Sequence, residues 1–211
     1  MMRGIAALAA VLTATWPDTY LARLEAWAQI EQLNADLLSH ESATATLQQW
    51  CDSHGAAPGT RIVAHRVRGQ DKAAGPAERA ALGVAEGDRL RYRRVDLACG
   101  NRVLSRADNW YRPDRLTTQM NDVLDTTETP FGVAVQALDY RRRTLAVEVL
   151  FHPLPEDWQT RPQPAEPAGA MLAIPGEILR HHAVLVAKDG VAVSVVVETY
   201  TDAVLYRAPA R

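Results

Sequence analysis

Helical periodicity dominates the first third of the chain and strand periodicity most of the rest. From Tyr20 to Leu38, the apolar residues Leu21, Leu24, Trp27, Ile30, Leu33 and Leu37 recur near helical spacing. Asp18 stands where the cap of that helix is expected. Ser42 reads as a second cap, ahead of Ala43, Leu47, Trp50 and Cys51 on one helical face, and Gly55 lies past the end. Thr60 to Arg68 alternates like a strand. Pro76 to Leu82 opens on proline and stops at Gly83, which predicts a short helix.

Two hairpins follow from turn chemistry. Leu90 to Cys99 and Val103 to Tyr111 flank Gly100-Asn101, and Ile178 to Ala187 and Val191 to Tyr200 flank Lys188-Asp189-Gly190. Between them, Leu116, Met120, Val123 and Leu124 fit a helix. Leu138 to Phe151 reads as a strand, with Leu145, Val147, Val149 and Phe151 on one face and Ala146, Glu148 and Leu150 on the other. Prolines at 153, 155, 162, 164 and 167 make about 152–170 a surface loop. Helices followed by hairpins, without alternating βαβ units, predict an α+β fold in which helices flank an antiparallel sheet.

Composition adds bounds. A chain of 211 residues, 47% of them hydrophobic, can bury one good core, so 16–211 is expected to be a single domain. A formal charge of -2, with few aromatics and no basic stretch among them, argues against a nucleic-acid partner. No Gly-rich phosphate loop is present, which argues against a nucleotide enzyme. Residues 1–15 carry Arg3, the apolar run Ile5 to Leu12 and small residues before Pro17, the pattern of a signal peptide. That run is too short for a membrane span. Export to the periplasm or beyond is the expectation if the segment is a cleaved signal; a mis-assigned start, with a cytoplasmic protein, is the alternative. Cys51 and Cys99 are compatible with a disulfide in an oxidising compartment and equally with two buried thiols. His181 and His182 are adjacent in a strand and face opposite ways, so no shared metal is expected.

The candidate chemistry rests on two charges in apolar strands, Arg94 and Glu198, about a hundred positions apart. A carboxylate at the end of Val195-Val196-Val197 is costly to bury without a partner, either a cation or a ligand hydroxyl. The two residues fit a cross-strand ion pair serving only the fold. They equally fit opposite ends of a cavity for a small carboxylated ring. Arg91, Arg93, Arg102 and Arg106 are expected to form a solvated face with carboxylate partners.

Several segments, in order, resemble the chorismate lyase family. They are Leu37-Leu38 with Ser42-Ala43-Thr44 and Leu47; Arg94 on a strand before a tight turn, then Val103-Leu104-Ser105-Arg106-Ala107 and Pro113; Thr129-Pro130-Phe131-Gly132; and Arg180-His181-His182-Ala183-Val184-Leu185, then Asp189-Gly190, then Glu198. The resemblance implies a chorismate lyase-like fold, which non-catalytic effector-binding domains of bacterial regulators share. It places the family's carboxylate-binding arginine on Arg94 and its hydroxyl-binding glutamate on Glu198. It places pocket-wall positions on Phe131 and Ala43, where the family has leucine and methionine. The implied activity is elimination of pyruvate from chorismate to give 4-hydroxybenzoate, without metal or organic cofactor, Arg94 and Glu198 being catalytic. The alternative is a non-catalytic binding protein for a small aromatic or cyclohexadienyl carboxylate. The family's Trp-Gly-Arg-Arg-Ser stretch is replaced here by Leu179-Arg180-His181-His182-Ala183, so the fold carries over more safely than the reaction.

Overall fold

The structure is a computed structural model that describes residues 16–160, 162, 166 and 168–208. Residues 1–15, where a signal peptide is expected, lie outside the described residues. Six antiparallel strands form one sheet in the order β1-β2-β3-β6-β5-β4: β1 (Ile62–Val67), β2 (Arg91–Cys99), β3 (Arg102–Tyr111), β4 (Arg141–Val149), β5 (Glu177–Val186) and β6 (Ala192–Thr201). Among the described residues five α-helices accompany it: α1 (Tyr20–Ser39), α2 (Ala43–Ser53), α3 (Pro76–Leu82), α4 (Thr118–Thr126) and the single turn α5 (Phe131–Ala134). The expected α+β architecture, an antiparallel sheet flanked by helices, is the one observed.

Local chemistry explains the boundaries. Thr19, not Asp18, caps α1 by accepting from the Ala22 amide; Asp18 is engaged by Arg23 Nε at 2.7 Å. The buried stripe of α1 is Ala22, Ala26, Ile30, Leu33 and Leu37, whereas Leu21 is 61% exposed. Small residues in the first two turns let the helix approach the sheet closely. Ser42 caps α2 through the Ala45 amide, as its position predicts. The predicted limits of α3 are met, and Gly83 closes it in the left-handed conformation at φ +64°.

One face of the sheet carries the core and the other only part of one. On the inner face α1 and α2 cover one end, burying Leu47, Trp50, Leu97, Leu104, Leu179 and Tyr200 together. At the other end α4 and α5 pack Leu116, Met120 and Leu124 around Tyr111. On the outer face α3 packs Leu82 over Trp110 and Val195, and the Trp110 indole donates to the Lys72 carbonyl at 2.7 Å. The rest of that face carries ion pairs such as Arg180 with Glu148.

The expected strand from Leu138 is shorter. Asp139 adopts φ +49°, and β4 starts only at Arg141. A register shift between Thr144 and Ala146 leaves Leu145 as the extra residue of a bulge, 45% exposed. Leu145 therefore does not share a face with Val147 and Val149, and Arg142 points to the same side as they do. Cys51 of α2 and Cys99 of β2 form a disulfide, with Cα atoms 5.9 Å apart and a sequence separation of 48.

That bridge pins α2 against the sheet and closes a long loop. Replacing both cysteines by serine is expected to cost about 2–4 kcal/mol, read as a lower urea midpoint with the fold retained. Equal midpoints for the variant and the wild type would contradict it.

Candidate functional site

Between the two helical covers the inner face is left open, and a cavity of about 70 Å³ lies there. That is room for about five waters. Its floor comes from Arg93 and Val95 of β2, Ala107 and Asn109 of β3, and Ser194, Val196 and Glu198 of β6, with Arg142 reaching in from the edge strand β4. One wall is the start of α2, with Ser42, Ala43 and Thr44 and the rim carboxylate Glu41. The opposite wall is Pro130, Phe131 and Gly132 at the start of α5, with Tyr140. The α2 dipole turns its positive end toward this space. Phe131 leans on Tyr111 at 5.2 Å between ring centroids, which fixes the wall. A Cβ at Gly132 would sit 2.5 Å from the Tyr140 hydroxyl oxygen, so any larger residue there would have to displace that ring.

Three of the four residues expected at the site meet in this cavity: Ala43, Phe131 and Glu198. Arg94 does not. Successive strand residues face opposite ways, and Arg94 falls on the outer face, 3.7 Å from Asp108. Its neighbour Arg93 takes the inner position, across from Asn109 in the register. Arg93 was expected on a solvated face and is instead 3% exposed. Neither alternative for the Arg94–Glu198 pair holds, since the two occupy different faces.

The cation that meets Glu198 is Arg142. Its Nη2 donates to Glu198 Oε2 at 2.6 Å, and the Tyr200 hydroxyl donates to the same oxygen at 3.2 Å. Arg142 also donates to Thr144 Oγ1 at 2.9 Å and to the Leu37 carbonyl at 3.4 Å, which ties the pair to the end of α1. Burial works against the Arg142 charge, but Glu198, with Tyr200 and Tyr140 beside it, leaves the Arg142 pKa raised. Burial and then Glu198 push the Tyr200 phenol well above its usual value, so it stays a donor. Glu198 Oε1 has no donor among the described residues and is not sealed from the cavity.

Arg93 is placed differently. Its Nη2 donates to the Thr127 carbonyl at 3.2 Å, while Nε and Nη1 are buried with no acceptor. Burial, and next the charge of Arg66, lower its pKa, yet a guanidinium remains charged at neutral pH. Nearby Asp125 is taken by Arg91 at 2.5 Å. Beside Arg93, the Ser194 hydroxyl donates to Asn109 Oδ1. The floor thus has a cationic donor end at Arg93 and an acceptor end at Glu198 Oε1, on strands two spacings apart, roughly 10 Å.

His181 lies across from Glu198 in the register and is fully buried. Its Nε2 meets Asn34 Oδ1 at 2.9 Å, so Nε2 carries the proton and Nδ1 is left without a partner. His182 faces the other way, toward Glu148 at 3.0 Å. No cluster of three or more His, Cys, Asp or Glu able to hold a metal occurs among the described residues, and none of their helices is long and apolar enough to cross a membrane.

Sequence reasoning missed Arg93, Arg142, Asn109, Ser194 and Tyr140. Parity could have found the first: Val95 and Leu97 are the apolar positions of β2, and Arg93 shares their face. Arg142, inside Arg141-Arg142-Arg143, gives no such signal, because the bulge decides which of the three turns inward.

No protein-family model matches the chain. It is 48% identical over 191 residues to the uncharacterized protein y4mC of Sinorhizobium fredii, covering 90% of this chain and 81% of y4mC. The chain belongs to the y4mC family. Among solved structures this y4mC relative is similar to PhnF from Mycobacterium smegmatis, at TM-score 0.52 and 16% identity over 82% of this chain and 70% of PhnF. The effector domain of PhnF alone gives TM-score 0.51 and 16% identity over 77% of this chain and 89% of that domain. At such identity the likeness establishes the fold, the chorismate lyase-like α+β arrangement, and nothing finer.

Two predictions follow from the geometry. Replacing Arg142 by methionine strands the Glu198 charge in the interior and should cost about 3–5 kcal/mol; Arg94 to methionine, on a partly exposed pair, should cost about 1 kcal/mol or less. Chemical denaturation of the two variants measures the contrast, and equal losses would refute it. Burial lowers the pKa of His181 from 6.5 to about 4 against the pull of Glu198. The folded protein holds it neutral, so its contribution is complete above pH 6.5 and is lost as the pH falls toward 4. The loss is about 3 kcal/mol, and His181→Gln should flatten that part of the stability–pH curve. An unchanged curve would show that His181 is not its source.

Proposed function

We propose that this protein is a non-catalytic binding protein for a small ring compound bearing a carboxylate. The carboxylate is held at the Arg93 end of the cavity, and a hydroxyl of the ligand donates to Glu198 Oε1. The observation that carries this reading is Arg93: a buried cation on the cavity floor with two donor nitrogens lacking acceptors. A carboxylate beside it supplies the counter-charge that the fold leaves out, and a turn of the guanidinium would bring its sealed Nε and Nη1 to that planar anion. The match to an effector domain in fold supports a binding role. So does the condition of Glu198. Its Oε2 accepts from Arg142 and Tyr200 together, an arrangement for a fixed carboxylate and not for a proton donor to a leaving group. The disulfide supports the exported location expected from residues 1–15, since such bridges persist in oxidising compartments.

Elimination of pyruvate from chorismate is the competing reading, and one experiment separates the two. 4-Hydroxybenzoate is expected to raise the melting temperature of the wild type. Arg93→Met should abolish that shift and Arg94→Met should retain it. Incubation with chorismate is expected to release no pyruvate above the uncatalysed rate. Enzyme-dependent pyruvate that disappears in a Glu198→Gln variant would establish the lyase instead. A melting temperature that none of benzoate, 4-hydroxybenzoate and salicylate moves would sink the binding reading.

A further inference from the structure

The Arg93 end of the cavity has a second donor whose orientation is fixed from behind. Asn109 is 4% exposed, stands directly across from Arg93 in the β2–β3 register and lines the same cavity. Its Oδ1 is occupied by the hydroxyl of Ser194, itself fully buried. An amide oxygen only accepts, so the serine must donate. The Asn109 Nδ2 group is therefore turned away from Ser194. It meets no acceptor among the described residues, yet it is not among the atoms sealed from solvent. With so little of the residue exposed, that opening leads into the cavity.

We infer that Asn109, locked by Ser194, is the specificity-determining residue that makes this end select an anionic carboxylate over its neutral carboxamide isostere. The inference rests on the binding function proposed above. A carboxylate offers acceptors to both Arg93 and Asn109 Nδ2. A carboxamide in the same place offers one acceptor and sets its own NH2 against a donor, leaving a buried donor unsatisfied, and that is where discrimination is large. Val95, Ala107 and Val196 line the floor around these groups and give the ligand's NH2 no alternative acceptor. Ser194 acts through Asn109: without its hydroxyl the amide is free to rotate by half a turn and present Oδ1.

The test compares 4-hydroxybenzoate with 4-hydroxybenzamide by calorimetric titration and melting temperature. The wild type should bind the acid at least tenfold more tightly than the amide. Asn109→Asp should lose the acid by more than tenfold, because a second carboxylate faces it. The ligand-free melting temperature of that variant should stand at or above the wild type, since the new carboxylate lies opposite Arg93; a collapsed variant would not show this. Ser194→Ala should still bind the acid while its preference over the amide falls severalfold. If Asn109→Asp binds the acid like the wild type, or Ser194→Ala keeps the full preference, the role of Asn109 is overturned while the binding function stands. If the wild type binds neither compound nor benzoate nor salicylate, the binding function fails and this assignment fails with it.

Discussion

The ion pair of Arg142 and Glu198 organises this molecule around its cavity. Two charges this deep in an apolar sheet are tolerable only because every element nearby contributes to holding them. The bulge of β4 turns Arg142 inward, β6 brings Glu198 to the floor, Tyr200 donates to the shared oxygen, and the Leu37 carbonyl anchors the guanidinium to α1. An edge strand and a central strand are thereby joined by one contact of 2.6 Å, and the same guanidinium reaches the end of α1. With Glu198 neutralised internally, the remaining imbalance on the floor is the positive charge of Arg93.

That imbalance separates a binding site from a structural network. A core whose charges are all matched has nothing to gain from a ligand. Here the fold spends carboxylates on Arg91, Arg94 and Arg142, through Asp125, Asp108 and Glu198, and brings Arg93 only a backbone carbonyl. Burial without a counter-charge raises the free energy of the ligand-free state, and an anion that enters recovers it. Unmet donors of this kind give affinity to a small ligand that buries little surface.

Much of this was legible in the sequence where the chain is punctuated. Pro76 and Gly83 bound α3, Gly100-Asn101 and Asp189-Gly190 set both hairpins, and Ser42 marks the start of α2 because only a side chain of that kind can satisfy its first amides. The same punctuation made Ala43 and Phe131 legible as walls, one beside a cap and the other after Thr129-Pro130. What failed was parity. A strand reverses its facing at every residue, so matching an arginine one position off moves it from the cavity to the opposite face. Spacing against the chorismate lyase family points to Arg94, whereas Val95 and Leu97, the buried apolar positions of β2, point to Arg93. Arg142 lay beyond either approach, since a bulge at Leu145 depends on the pairing of β4 with β5 and leaves no local mark.

The division of labour between the two cavity ends bears on whether chemistry takes place there. A lyase for an enolpyruvyl ether needs a group that changes its bonding as the bond breaks, with a pKa matched to that transfer. Glu198 is fixed at Oε2 by two donors, and the phenol of Tyr200 is held protonated by burial. His181, the titratable neighbour across the strand, is kept neutral and turned toward Asn34. Tyr200 and His181, which flank the acceptor end, are thus each held in one protonation state near neutral pH. An arrangement that offers one free acceptor and one unmatched cation suits the proposed recognition of a molecule by its two ends. The walls at Ala43 and Phe131 then decide which rings fit between them, a choice made by shape and independent of any reacting group.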